Sequence, residues 1–261
     1  MAVDFGSISN TTYASRTNTT ITAPSGIEDD DVLYLFHLLG SASPPTPTPP
    51  AGFVVADTPV GETYPIDASD GSFILSLRVW RKTASGESGD YTVTHSAASS
   101  QGVIVRVTGA DTGNPSDPLP SFVLSDGSPS AADTTVPSIT TEVDGALILL
   151  FNWDWADTTN NLTPPTGTTP TFTERLDTTL CYVATGILAT AGATGSKTMA
   201  NNASSTSPFG GMMFAIVPAA AVEMQQIRPD ADVTTTGWTI TPLFSKINDE
   251  SDATVITATA S

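Results

Sequence analysis

Apolar positions along the chain fall into short runs of two kinds. Val32–Leu39 (VLYLFHLL) is nearly continuous, the pattern of a strand covered on both faces or lying in a sandwich core, and Ala146–Phe151 (ALILLF) and Phe209–Ala219 (FGGMMFAIVPA) are further apolar runs of strand length. Ser72–Lys82 alternates instead, with Phe73, Leu75, Leu77 and Val79 on one face and Ile74 and Trp80 on the other, as a two-residue period requires. Shorter strands are expected at Thr17–Pro24, Tyr91–His95, Gly102–Gly109 and Phe122–Leu124. Two more flank a turn in Thr134–Trp155, and others fall at 171–179, 180–190 and 195–202. No window of helix length carries a 3.6-residue period. Turn-rich stretches such as Ser25–Asp31, Ser85–Asp90 and Ala110–Asp133 separate the runs. The proline-rich stretches at 40–53 and 158–170 lack the amide donors a strand ladder needs, so they are expected as extended surface loops. Strands recurring with turn signals predict an all-β fold, a β-sandwich of jelly-roll type.

Two segments echo each other. Thr20–Phe36 (TITAPSGIEDDDVLYLF) and Thr134–Phe151 (TTVPSITTEVDGALILLF) each run from a strand through Pro-Ser and an acidic stretch into an aliphatic run ending in Phe. Pro24 to Asp31 and Pro137 to Asp144 are both seven positions. The physical reading is a repeated corner: proline ends one strand, the acids stay wet, and the next strand enters the core. A duplicated ancestor explains the echo, and so do two similar corners that arose separately.

Composition sharpens this picture. Only 14% of residues are charged, below the usual quarter, and Thr, Ser, Ala, Pro and Gly fill the gap. With 27 acids against 9 bases the formal net charge is −18. Such a chain repels duplex nucleic acid, whose binding needs Lys and Arg to displace counterions, and it is unsuited to an anionic membrane surface. Cys181 is the one cysteine, so an internal disulfide is impossible, and its apolar surroundings predict a buried, inert thiol. The N-terminal stretch lacks a basic region followed by an apolar one, and no apolar run approaches the ~20 residues of a membrane helix. The expectation is synthesis in the cytoplasm without a signal peptide.

The texture changes near Ala221. Residues 1–221 are expected to form the sandwich domain and residues 222–261 a C-terminal arm. A segment of about 40 residues without disulfide or metal rarely folds alone. The arm is therefore expected to pack on its own body, to add strands to a neighbouring copy, or to dock onto another protein.

Two sets of motifs resemble a known family. The series "APSGIEDDDVLYLF", "PPAGFVVAD", "LRVWRKTASGESGDYTVTHS", "GVIVRVTGA", "TTVPSITTEVDGALILLF" and "FAIVPA", over roughly residues 17–219, resembles a β-sandwich module of tailed-bacteriophage structural proteins. The stretch after Ile227 is similar to a segment that opens or links such modules in virion proteins. Arg228, Pro229, Asp230, Asp232, Gly237, Trp238, Thr239, Pro242, Leu243, Ile247 and Glu250 follow its layout, with Phe244 at an aromatic position. In that family a further β domain often follows. Here the expectation is either a linker kept as a docking arm or a longer gene product. The resemblance brings no catalytic residues. It implies a non-enzymatic virion component, a capsid decoration, head fibre or tail-associated part. It further implies assembly as a homotrimer or other symmetric oligomer and contact with other virion proteins.

Candidate chemistry is sparse. His37 lies in an apolar run and is expected to be a satisfied core or edge residue, and His95 ends a strand. Ser88 in "SGESG" does not fit a nucleophile elbow, although a Ser-His-Asp triad needs only proximity in space. The acids Asp29, Asp30 and Asp31 are the candidate calcium ligands, since calcium takes several hard oxygens from such loops. They lack the EF-hand spacing, and no other cofactor is expected. Trp153, Asp154 and Trp155 form the candidate glycan platform, because alternation puts both indole rings on one face. The same rings would serve equally as a core plug or a subunit contact. The platform supports a second reading, an adhesin for a host surface glycan. A third is a glycan-degrading enzyme, although nothing singles out a carboxylate pair. Ser43–Pro50 (SPPTPTPP) is expected as a stiff exposed loop rather than a PxxP ligand.

Overall fold

The computed structural model describes residues 2–59, 65–69, 72–116, 119–125, 133–154, 165, 169–178, 180–199 and 209–220. Among these residues the regular structure is all strand. The first half of the chain holds β1 (Asp4–Asn10), β2 (Ala14–Ile21), β3 (Val32–Ser41), β4 (Val54–Val55), β5 (Ile66–Ser69), β6 (Ile74–Thr83) and β7 (Tyr91–Thr108). The second half holds β8 (Ser121–Ser125), β9 (Thr134–Val136), β10 (Thr140–Thr141), β11 (Ala146–Asp154), β12 (Thr173–Asp177), β13 (Cys181–Leu188), β14 (Gly192–Ala193), β15 (Lys197–Met199) and β16 (Phe209–Ile216).

Two large antiparallel sheets result, beside the two-stranded pairs β10-β14 and β15-β9. One runs β1-β7-β3-β6-β4, with β2 also on β7 and β5 also on β6. The other runs β12-β13-β11-β16-β8. Tyr34, Phe36, Leu38, Leu77 and Val79 of the first sheet share one buried cluster with Leu149, Phe151 and Phe214 of the second. Phe36 and Phe151 stack there, centroids 4.1 Å apart and planes at 11°. The outer faces are covered too. Ile21, Phe53, Tyr91 and Val93 close over Leu33, Leu35, Trp80 and Ile104. Val136, Ile139, Phe172 and Met199 close over Ile148, Leu150, Met213 and Ala215. This double burial explains why β3 and β11 are continuous apolar runs rather than alternating ones.

The architecture is thus consistent with the expected β-sandwich. A jelly roll would send successive strands to alternate sheets. Here each sheet is built from one continuous half of the chain, so the jelly-roll strand order is not seen among the described residues. All of these lie in the compact unit Met1–Ala221. The expected arm, with Arg228, Asp230, Asp232, Trp238, Pro242, Leu243, Phe244 and Ile247, lies outside them.

The two halves repeat one plan. In each, a central strand (β3 or β11) is flanked by β6 and the end of β7, or by β13 and β16. The outermost neighbour on the second side is the first strand of the half, β1 or β8. A short crossing strand, β2 or β9, pairs with the start of β7 or with β15. The long β7 therefore does in one piece what β15 and β16 do in two.

The match reaches single residues. His37 pairs with Gly102 and Asn152 with Gly211. A Cβ on Gly102 would stand 2.4 Å from Ile21 Cδ1 of β2, and one on Gly211 would stand 2.7 Å from Thr134 Cγ2 of β9. Asp30 and Gly145 both take positive φ, 70° and 75°. Their amides donate to Ala84 and Leu188, each at 3.0 Å. The sequence echo is therefore structural, but in a different register. Thr19, Asp29 and Phe36 match Thr134, Asp144 and Phe151 at one constant offset, whereas the Pro24–Pro137 alignment put Asp31 opposite Asp144.

Candidate functional site

Four buried polar side chains meet under β2. Thr19 Oγ1 lies 2.9 Å from His37 Nε2, 3.0 Å from His95 Nε2 and 2.7 Å from Ser100 Oγ. His95 Nδ1 donates to the Ser96 carbonyl at 2.8 Å, so in the neutral ring Nε2 accepts the Thr19 hydroxyl proton. His37 Nε2 and Ser100 Oγ then donate to Thr19. His37 is thereby the Nε2–H tautomer, and its Nδ1 has no partner among the described residues. Burial first, then the nearby His95, Arg16 and Arg78, pull the His37 pKa down to about 3. Ser100 bonds to a threonine rather than to an imidazole, and the hydroxyl that does face an imidazole, that of Thr19, is fully buried. Of the two places its apolar strand allowed, core or edge, His37 takes the core, with one ring nitrogen satisfied. Asn152 holds the equivalent place and donates Nδ2 to Thr134 Oγ1 at 2.8 Å.

The acidic turn is a built corner. Asp31 is 5% exposed and its Oδ2 accepts Arg106 Nε at 2.6 Å and the Glu28 amide at 2.8 Å. Asp29 Oδ1 accepts the Gly86 amide at 2.7 Å, and Asp144 Oδ1 accepts the Ala191 amide at 2.7 Å in the second half. The acids of this turn are thus not all wet, as the sequence pattern suggested. Asp29 and Asp31, two of the three candidate calcium ligands, are committed to turn amides and a guanidinium. Among the described residues no group of three or more His, Cys, Asp or Glu side chains is placed to hold a metal ion.

The glycan platform is corrected by burial. Trp153 is fully buried between the sheets, and a Cβ on Gly210 would stand 2.2 Å from its Cζ2. Its ring fills the space that glycine leaves open, so it offers no face to a sugar. Asp154 is buried as well, at 1% exposure, and Trp155 lies outside the described residues. Cys181 is buried, and desolvation pushes its thiol pKa up, in keeping with an inert thiol. The Ser43–Pro50 loop is pinned rather than free, because Thr48 exchanges backbone hydrogen bonds of 2.8 and 3.0 Å with Thr94.

A surface pocket lies elsewhere, where the β1–β2 turn, the middle of β7 and the β12–β13 turn meet. Asn10, Thr12, Tyr13, Gln101 and Thr178 line it. The turn is fixed to β7 by Thr11 N to Gly102 O at 2.9 Å and Gly102 N to Thr11 Oγ1 at 3.0 Å. Gln101 is 2% exposed and donates Nε2 to Thr178 Oγ1 at 3.1 Å, while its Oε1 is buried without a partner. Tyr13 is half-buried. Burial raises its phenol pKa to about 12, opposed by a hydrogen bond with Ser99. The sequence pattern did not single out these residues. Their one signal is Gln101, an amide between small residues and an apolar strand.

No family model, curated protein or solved structure matches the chain.

Proposed function

We propose that the protein is a non-enzymatic structural component of a tailed phage or phage-like particle, exposed on the virion as a capsid decoration, head fibre or tail-associated part. The observation that carries this reading is the Arg228–Glu250 layout, which resembles a linking segment of virion proteins. Two further features support it. The body is a doubly covered sandwich in which the buried Thr19, His37, His95 and Ser100 side chains hydrogen-bond with one another. The net charge of −18 suits a solvated particle surface. Residues 222–261 act as the assembly arm, adding strands to a neighbouring copy in a trimer or other symmetric oligomer, or docking onto another virion protein.

The test is immunogold electron microscopy of purified particles with antibody to this protein, paired with deletion of residues 222–261. Gold on the head or the tail is expected, with loss of incorporation and of the oligomer in the deletion. Unlabelled particles would overturn the virion reading, and an unchanged oligomer would overturn the arm.

A further inference from the structure

We propose that the pocket formed by Asn10, Thr12, Tyr13, Gln101 and Thr178 binds a neutral saccharide. The inference does not rest on the virion reading. It starts from the Gln101 amide. Thr178 Oγ1 donates to the Cys181 carbonyl and accepts the Cys181 amide, both at 3.0 Å. That hydroxyl has therefore spent its proton, and it can only accept from Gln101. The amide is held with Nε2 toward Thr178, which leaves Oε1 as a buried acceptor in need of a donor. A ligand hydroxyl placed over the pocket floor supplies one.

The other walls fit the same chemistry. Asn10 and Thr12 are exposed at the rim and offer an amide and a hydroxyl, each able to donate and accept. Tyr13 contributes a half-buried ring. An aromatic ring beside amides and hydroxyls suits a pyranose, which has both a C–H face and a rim of hydroxyls. All five lining side chains are uncharged. The nearest guanidinium, that of Arg16, is turned to the Thr12 and Ala14 carbonyls, so a phosphate or a metal ion would find no countercharge among the lining side chains, and the acidic protein repels polyanions. The turn and β7 are hydrogen-bonded to each other, so the polar groups are preorganised.

Saturation-transfer difference NMR on the full chain tests this, with glucose, galactose, mannose and N-acetylglucosamine as probes and glycerol as a control. Transfer is expected to at least one pyranose and not to glycerol. Gln101→Met keeps the volume and removes the acceptor, and is expected to weaken binding about ten-fold. Thr12→Trp adds bulk at an exposed position and is expected to block the pocket without touching the core, so it decides the matter if Gln101→Met fails to fold. No transfer to any pyranose would overturn the site and leave the Gln101 carbonyl to ordered water. Equal transfer to glycerol, or transfer unchanged by Thr12→Trp, would overturn it as well.

Discussion

His37 and Asn152 occupy equivalent places, each donating to a threonine of the strand that crosses over it, but only the histidine titrates. Its pKa is about 3 in the folded protein against 6.5 for the free side chain, chiefly because burial disfavours the imidazolium. Between those values the unfolded chain binds more protons than the folded one. This contribution to stability is therefore complete above the unfolded pKa and is lost as pH falls toward the folded one. Asn at position 37 would keep the donor and lose the titration. His37→Asn is expected to cost about 1 kcal/mol at pH 7 through its smaller volume. Its urea midpoint should then fall less between pH 7 and pH 4 than that of the unaltered protein. An identical fall in both proteins would show that acid acts elsewhere.

The corners make a sharper comparison between elements. Asp30 and Gly145 hold the same left-handed place before β3 and β11, one with a Cβ and one without. A Cβ at Gly145 meets nothing within 4 Å, so Gly145→Ala isolates the backbone term and is expected to cost about 1 kcal/mol. Asp30→Gly should be neutral or gain a few tenths of a kcal/mol. Gly102→Ala should cost more than Gly145→Ala, because its Cβ would enter Ile21. Thermal midpoints of the three variants give the ranking. An equal loss at Gly102 and Gly145 would mean that β2 shifts freely over β7. The same elements show what was legible in the sequence. Val32–Leu39 and Ala146–Phe151 are legible as strands, though not as the central ones, since double burial writes an unbroken apolar run. β1, with Gly6, Ser7 and Ser9 in an edge strand, carries no such run and went unseen. β7 was divided in two, because Ser96–Gln101 looks like a loop although it continues the ladder between β2 and β3. Trp153 looked like a ligand platform because alternation names a face without saying which face is inside. The pocket was illegible for a related reason: Tyr13, Gln101 and Thr178 are far apart in the chain, and only the pairing of β7 with the β1–β2 turn and the β12–β13 turn brings them together.

At the scale of the whole molecule, each half presents one apolar sheet face that only the other half covers. Phe36 on Phe151, and Tyr34 and Phe36 against Phe214 at 5.7 Å, are contacts between halves rather than within them. The chain also ties the halves at their equivalent strand exits, where Asp111 N donates to Val217 O at 3.0 Å and Ala219 N to Gly109 O at 2.9 Å. The outer clusters belong to one half each, so each half carries two layers of its fold and lacks the third. A half expressed alone would leave Tyr34, Phe36, Leu38, Leu77 and Val79, or Leu149, Phe151, Trp153 and Phe214, open to water. An exposed patch of that kind drives association. Residues 1–112 and 113–221 expressed separately are therefore expected to aggregate or self-associate, and expressed together to co-purify as a one-to-one complex with the far-UV spectrum of the intact body. The cut lies in the connection between β7 and β8, outside every strand, so it removes the covalent link and leaves both sheets whole. A folded, monomeric 1–112 fragment in sedimentation would mean that the inner face does not need its partner. The repeated plan would then be two independent domains sharing a boundary, not one core divided between two halves.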